Sequence, residues 1–165
     1  MASKKGIAVT VAIAAAIIGG SFLIWFIPQN SPQDTLSSLH PSDNEIISDV
    51  YSRHNSIASN IESKYEQWKK DVNVTSNQLV NLIDLNRTNI QNMRKELADA
   101  KPAPEWQMSF NSYIKALDSY TKYLDIIETK VRLGEKTNLD PQLDMQRREW
   151  QGYVNDSVNA MPIGK

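Results

Sequence analysis

A chain of 165 residues has room for one modest domain beside a membrane segment, because single cores usually take about 100 to 150 residues. Its lack of cysteine excludes disulfides, thiol catalysis and cysteine-ligated metals. Of the 18 basic side chains, all but Lys4 and Lys5 follow the apolar N-terminal run, so 16 stand against 19 acidic ones; without a basic block, no nucleic-acid partner is expected.

From Gly6 to Ile27 the chain reads GIAVTVAIAAAIIGGSFLIWFI, uncharged and close to the roughly 20 residues needed to cross hydrocarbon. Lys4 and Lys5 precede it and no Lys or Arg follows until Arg53, so the positive-inside bias places the N-terminus in the cytoplasm. Trp25 falls at the outer headgroup level, and Pro28 ends the helix just after Ile27. A cleaved signal peptide fits less well, since the apolar core is too long and no small-x-small site follows it. Gly19 and Gly20 allow a close helix contact in the membrane, although glycine is also simply tolerated there. The expected organisation is therefore a cytoplasmic tip (1–5), a transmembrane signal-anchor helix (6–27), an extended linker (28–41) and an extracytoplasmic helical domain (42–161). A domain outside the membrane without disulfides suits a prokaryotic cell.

The linker PQNSPQDTLSSLHP carries three prolines and no sustained apolar period. Ser42-Asp43-Asn44-Glu45 then forms a capping box, so a helix begins at about Asp43. From there to Lys101 neither Gly nor Pro occurs. One stripe runs through Val50, His54, Ile57, Ile61, Tyr65, Trp68, Val72, Leu79, Ile83, Asn86, Ile90, Met93 and Leu97. The unbroken period favours one long or merely kinked helix of about 85 Å. The weak helix formers of Asp71 to Ser76, with Thr75 or Ser76 as a cap, leave a break near Asn73 as the alternative.

Lys101-Pro102-Ala103-Pro104 reverses the chain. Trp106, Phe110, Tyr113, Leu117, Tyr120, Leu124, Ile127 and Val131 follow in a four-three alternation of coiled-coil type, up to a glycine cap at Gly134. Asp140-Pro141 opens a last helix with Leu143, Trp150, Val154 and Val158 on its stripe. The fold class is all-α: an antiparallel bundle of three helices, or four if the first is broken.

No enzyme is expected. With His40 in the linker and His54 alone on a stripe, no HExxH motif or histidine pair supplies a metal site, and no cofactor is implied. His54 reads as a packed or edge histidine rather than a pH-responsive one. Glu62 with Glu66, and Asp84 with Arg87, read as solvated helix faces. Trp68, Trp106, Phe110, Tyr113 and Trp150 are candidate interaction or pocket residues, although such a row more often builds a core. Arg147 and Arg148 flank the Trp150 turn, and one of them should be solvated. Three sequons occur, at Asn73, Asn86 and Asn155. Asn73 and Asn155 are the candidate glycosylation positions, whereas Asn86 lies on the apolar seam and suits a buried polar residue that fixes register.

The run SKKGIAVTVAIAAAIIGGSFLIWFIPQ, Ser3 to Gln29, resembles the anchors of small uncharacterised single-pass membrane proteins of archaea, ammonia-oxidising ones in particular. The resemblance covers the membrane segment alone; it implies an archaeal cell-surface protein and no particular activity. Anchor followed by bundle is also similar to the extracytoplasmic four-helix sensor domains of chemoreceptors and kinases, without their second span or output module.

The expected function is that of a membrane-anchored, non-catalytic protein mediating protein–protein interaction, for example as the accessory subunit of a membrane complex. Its partners would be lipid through one helix, and another protein or a second copy. The alternative is a small-molecule sensor with an aromatic pocket between helices. Protease added to intact cells should digest the domain after Pro41; protection of that domain would reverse the expected topology.

Overall fold

The computed structural model describes residues 41–137 and 140–162, and these are helical wherever they are regular. The expected span Gly6–Ile27, with Gly19, Gly20 and Trp25, lies outside the described residues, as does the linker up to His40. Among the described residues, no helix is long and apolar enough to cross a membrane.

Among the described residues, four helices form: α1 (Asp43–Lys69), α2 (Ser76–Asp99), α3 (Gln107–Leu133, entered through a 3-10 turn at Pro104–Trp106) and α4 (Pro141–Asn159). Each starts or stops on identifiable chemistry. Ser42 and Glu45 close a capping box on α1, with the Ser42 backbone N–H donating to the Glu45 carboxylate at 2.7 Å. Gly134 ends α3 at φ +70°, in the left-handed region where glycine carries no Cβ penalty. Asp140 caps α4 by accepting from Leu143 N at 3.0 Å, with Pro141 in the first turn.

The long first helix expected from the unbroken period is in fact two. Asp71 (φ +56°) and Asn73 (φ +54°) adopt left-handed backbone, which an α-helix cannot contain. Thr75 then caps α2 in a second capping box with Gln78. The stripe passed through the turn because Trp68 and Leu79, on either side of it, lie 11 residues apart, about three helical periods. Val72, on the extrapolated stripe, is 47% exposed, while Trp68 and Leu79 on either side are buried. Trp68 Nε1 donates to Ser76 Oγ at 3.0 Å across the reversal.

Contacts between helices give the topology. Arg53 of α1 meets Glu96 of α2 (2.6 Å), and Arg87 and Arg94 of α2 meet Asp125 and Asp118 of α3 (2.8 and 2.5 Å). Ser109 and Ser119 of α3 meet Ser157 and Gln146 of α4. From Arg53–Glu96 to Trp68–Ser76, and within each of the other two sets, one number rises as the other falls, so successive helices are antiparallel. His54–Tyr113 and Glu62–Tyr123 rise together, so α1 and α3 run parallel. The result is an up-down-up-down four-helix bundle about 40 Å long. At the end where α1 begins, Asp43 accepts from Ala103 N at 2.9 Å and ties the α2–α3 connection down.

The Trp106–Val131 row is core apart from half-buried Trp106, and a second row beside it, Ser109, Tyr113, Ala116, Tyr120, Tyr123 and Ile127, is buried too. Two adjacent rows let α3 face several helices at once. Asn86 is buried as expected, but its side chain donates to Leu82 O of its own helix at 2.8 Å and so sets no register between helices. Leu117 is fully buried and Lys122 exposed. In denaturant melts of a chain begun at Ser42, Leu117→Ala should cost about 2 to 5 kcal/mol and Lys122→Ala less than about 0.5 kcal/mol. Equal small losses would remove Leu117 from the core.

Candidate functional site

The candidate pocket residues do not converge on one place. Trp68 stacks on Tyr65 near the α1–α2 turn, with Lys136 Nζ 5.3 Å from its ring centre. Trp106 and Phe110 lie at the opposite end, where Phe110 joins Leu97, Lys101, Gln107, Asn111 and Ile114 around an open groove. Only Tyr113 and Trp150 come together, and they do so around His54.

His54 is 1% exposed, and its ring packs edge-on to Tyr113 and Tyr120, with centroids 5.8 and 4.6 Å away. Trp150 of α4 lies against both His54 (5.4 Å) and Tyr120 (5.2 Å). His54 Nδ1 and the Tyr113 hydroxyl are hydrogen-bonded at 3.1 Å. Among the described residues, His54 Nε2, Tyr120 OH and Trp150 Nε1 are buried without a hydrogen-bond partner. An apolar and aromatic environment disfavours the imidazolium, and burial lowers the His54 pKa from 6.5 to about 3. Burial likewise pushes the Tyr113 and Tyr120 hydroxyls well above the usual tyrosine range.

Along the same α1–α4 seam, Glu62, Tyr123 and Arg147 form a closed triangle. The Tyr123 hydroxyl donates to Glu62 Oε1, Arg147 Nε donates to the same oxygen, and Arg147 Nη2 donates to the Tyr123 oxygen, all at 2.9 Å. Asp144, one turn earlier on α4, accepts from Arg147 Nη1 at 3.2 Å. Burial by itself would lower the Arg147 pKa, but the facing Tyr123 and Glu62 raise it above the ordinary arginine value, so the guanidinium stays charged. Burial, then the Glu62 carboxylate, raises Tyr123 well above its usual value. Glu62 is therefore not the solvated residue expected from its spacing. Arg87 also does more than face water: besides Asp84 it reaches Asp125 and Glu128 of α3. Arg148, by contrast, is exposed.

Chemically, these groups are arranged to hold helices together. His54 and Tyr113 are sealed from solvent, and the carboxylate and guanidinium of the triangle satisfy each other. Among the described residues, no group of three His, Asp or Glu side chains is placed to hold a metal ion. The triangle escaped the sequence reading because its members are far apart in the chain. The available signal was the second four-three row on α3, which carries Tyr123.

The sequons separate as well. Asn73 is exposed in the α1–α2 turn and Asn155 is exposed on α4, whereas Asn86 is buried.

His54 binds a proton in the unfolded chain at pH below about 6.5 but in the folded one only near pH 3, so acid favours unfolding across that window. Stability should fall by about 1.4 kcal/mol per pH unit on this account, reaching about 2 kcal/mol at pH 5. Melts of the wild type and His54→Gln from pH 7.5 to 5 should show the difference between them shrinking by that amount. Parallel curves would mean that His54 is solvated. No family model, curated protein or solved structure matches the chain.

Proposed function

We propose that this is a membrane-anchored, non-catalytic protein whose extracytoplasmic four-helix domain binds another protein or a second copy of itself, as an accessory subunit of a membrane complex would. The observation that carries the reading is the pairing of polar side chains between helices. Glu62, Tyr123 and Arg147 pair with one another, Ser109 with Ser157, and Gln146 with Ser119, so these side chains serve the bundle. What remains for function is the outer surface. There Leu85, Met108, Leu133 and Met145 are 63 to 70% exposed, each on a different helix or at a different end of one. Dispersed singly, they form no continuous apolar strip and carry no argument of their own.

A sensor of small molecules is the second reading, and it is favoured by His54 Nε2, Tyr120 OH and Trp150 Nε1, which lie in one aromatic cluster, buried without a hydrogen-bond partner among the described residues. Photo-activatable side chains placed in intact cells at Leu85, Leu133 and Met145 separate the two. The interaction reading expects a discrete cross-linked species of constant mass from at least one position. Lack of any adduct at all three, together with a rise in melting temperature on adding small-molecule extracts of the cells, would transfer the function to the aromatic cluster.

A further inference from the structure

The structure sorts the three sequons by what each would present to a glycosyl transferase. N-linked transfer needs an accessible asparagine amide and an accessible Ser or Thr hydroxyl two residues later. Asn86 fails on the first count, being 6% exposed and using its amide nitrogen to bond Leu82 O at 2.8 Å. A glycan there would have to occupy the core. Asn155 fails on the second count. Its amide is exposed, but Ser157 is 0% exposed and its hydroxyl lies 3.1 Å from Ser109 Oγ in the α3–α4 seam.

Asn73 meets both. Asn73 and Thr75 are both exposed, in the only stretch between α1 and α2, and nothing in the described fold covers them. Asn73 has φ +54°, a conformation asparagine tolerates better than most residues, and Thr75 is extended at φ −87°, ψ 158°. The Thr75 hydroxyl contacts only Gln78, through the solvent-exposed capping box. The turn is also held in place, since Lys136 of the α3–α4 connection pairs with Asp71 and lies over the Trp68 ring. It sits at the end of the bundle opposite Ser42.

We infer that Asn73 carries an N-linked glycan, transferred from an oligosaccharide activated as a lipid-linked phosphate ester. In the transfer, Asn73 Nδ2 forms a bond to the anomeric carbon while that carbon's bond to the phosphate oxygen breaks. The lipid phosphate leaves with the electron pair, the amide gives up one proton, and nothing is oxidised or reduced. The inference rests on the extracytoplasmic placement of the domain.

The test uses the full chain purified from the membranes of its own cells. Cleavage after acidic residues puts the three sequons on separate peptides, 72–84, 85–96 and 150–156. Mass spectrometry should find 72–84 heavier by a series of sugar residues, and 85–96 and 150–156 unmodified. Asn73→Gln and Thr75→Ala should each abolish the addition and Thr75→Ser should retain it, with helical circular dichroism intact in all three. Protease treatment of the intact cells, run in parallel, separates the two ways of failing. An unmodified 72–84 peptide in a domain that is digested overturns the inference alone, as does a glycan found only at Asn155. An unmodified peptide in a protected domain overturns the inference together with the placement it rests on.

Discussion

A single helix from Asp43 to Asp99 could not bury its own apolar stripe, because one face of a helix needs another element to pack against. The reversal at Asp71 to Thr75 is the constraint on which the rest of the bundle depends. Two left-handed residues stop α1, a capping box starts α2, and the halves of the stripe come face to face. The Trp68–Ser76 bond and the Lys136–Asp71 pair then hold the turn against the body of the domain. Without cysteines to staple it, the chain relies on such local devices and on packing.

The packing is unusually aromatic along the seam where α3 faces α1 and α4. His54, Tyr113, Tyr120, Tyr123 and Trp150 fill space that aliphatic side chains would leave to closer helices. Large rings bring polar atoms with them, and these impose geometry. The Glu62–Tyr123–Arg147 triangle joins three helices at one level, and a slip of one turn in any of them would strand a charge. Ser109–Ser157 and Gln146–Ser119 repeat the principle at two further levels of the α3–α4 pair. On the opposite flank, α2 and α3 are joined by arginine–carboxylate pairs exposed enough to contribute little each, which align the helices more than they stabilise them.

This division of labour bears on function. Polar side chains paired between helices, as in the Glu62–Tyr123–Arg147 triangle, are used within the bundle, and this use is what supports the proposed reading as an interaction module. The same economy leaves the turns and outer faces as the places where anything external can act, and Asn73 lies on one of them.

Much of the architecture was legible in the residues. The Ser42 and Asp140 caps, the glycine stop at Gly134 and the four-three row from Phe110 to Val131 are local signals read within a turn or two of chain, so helix ends and the α3 core face follow directly. The break at Asn73 was undecided for a physical reason: Trp68 and Leu79 on either side of the turn lie 11 residues, about three helical periods, apart, so the apolar rhythm continues through it although the backbone does not. Weak propensities and the Thr75–Gln78 box marked it only faintly. Tertiary structure alone decided that Glu62 leaves solvent to meet Arg147 and Tyr123, that Asn86 satisfies itself within α2, and that Ser157 is sealed against Ser109. Periodicity ranks the faces of one helix, but whether a polar residue at the edge of a face meets water or a partner depends on what packing brings alongside it, as Arg147 is brought to Glu62 from 85 positions away.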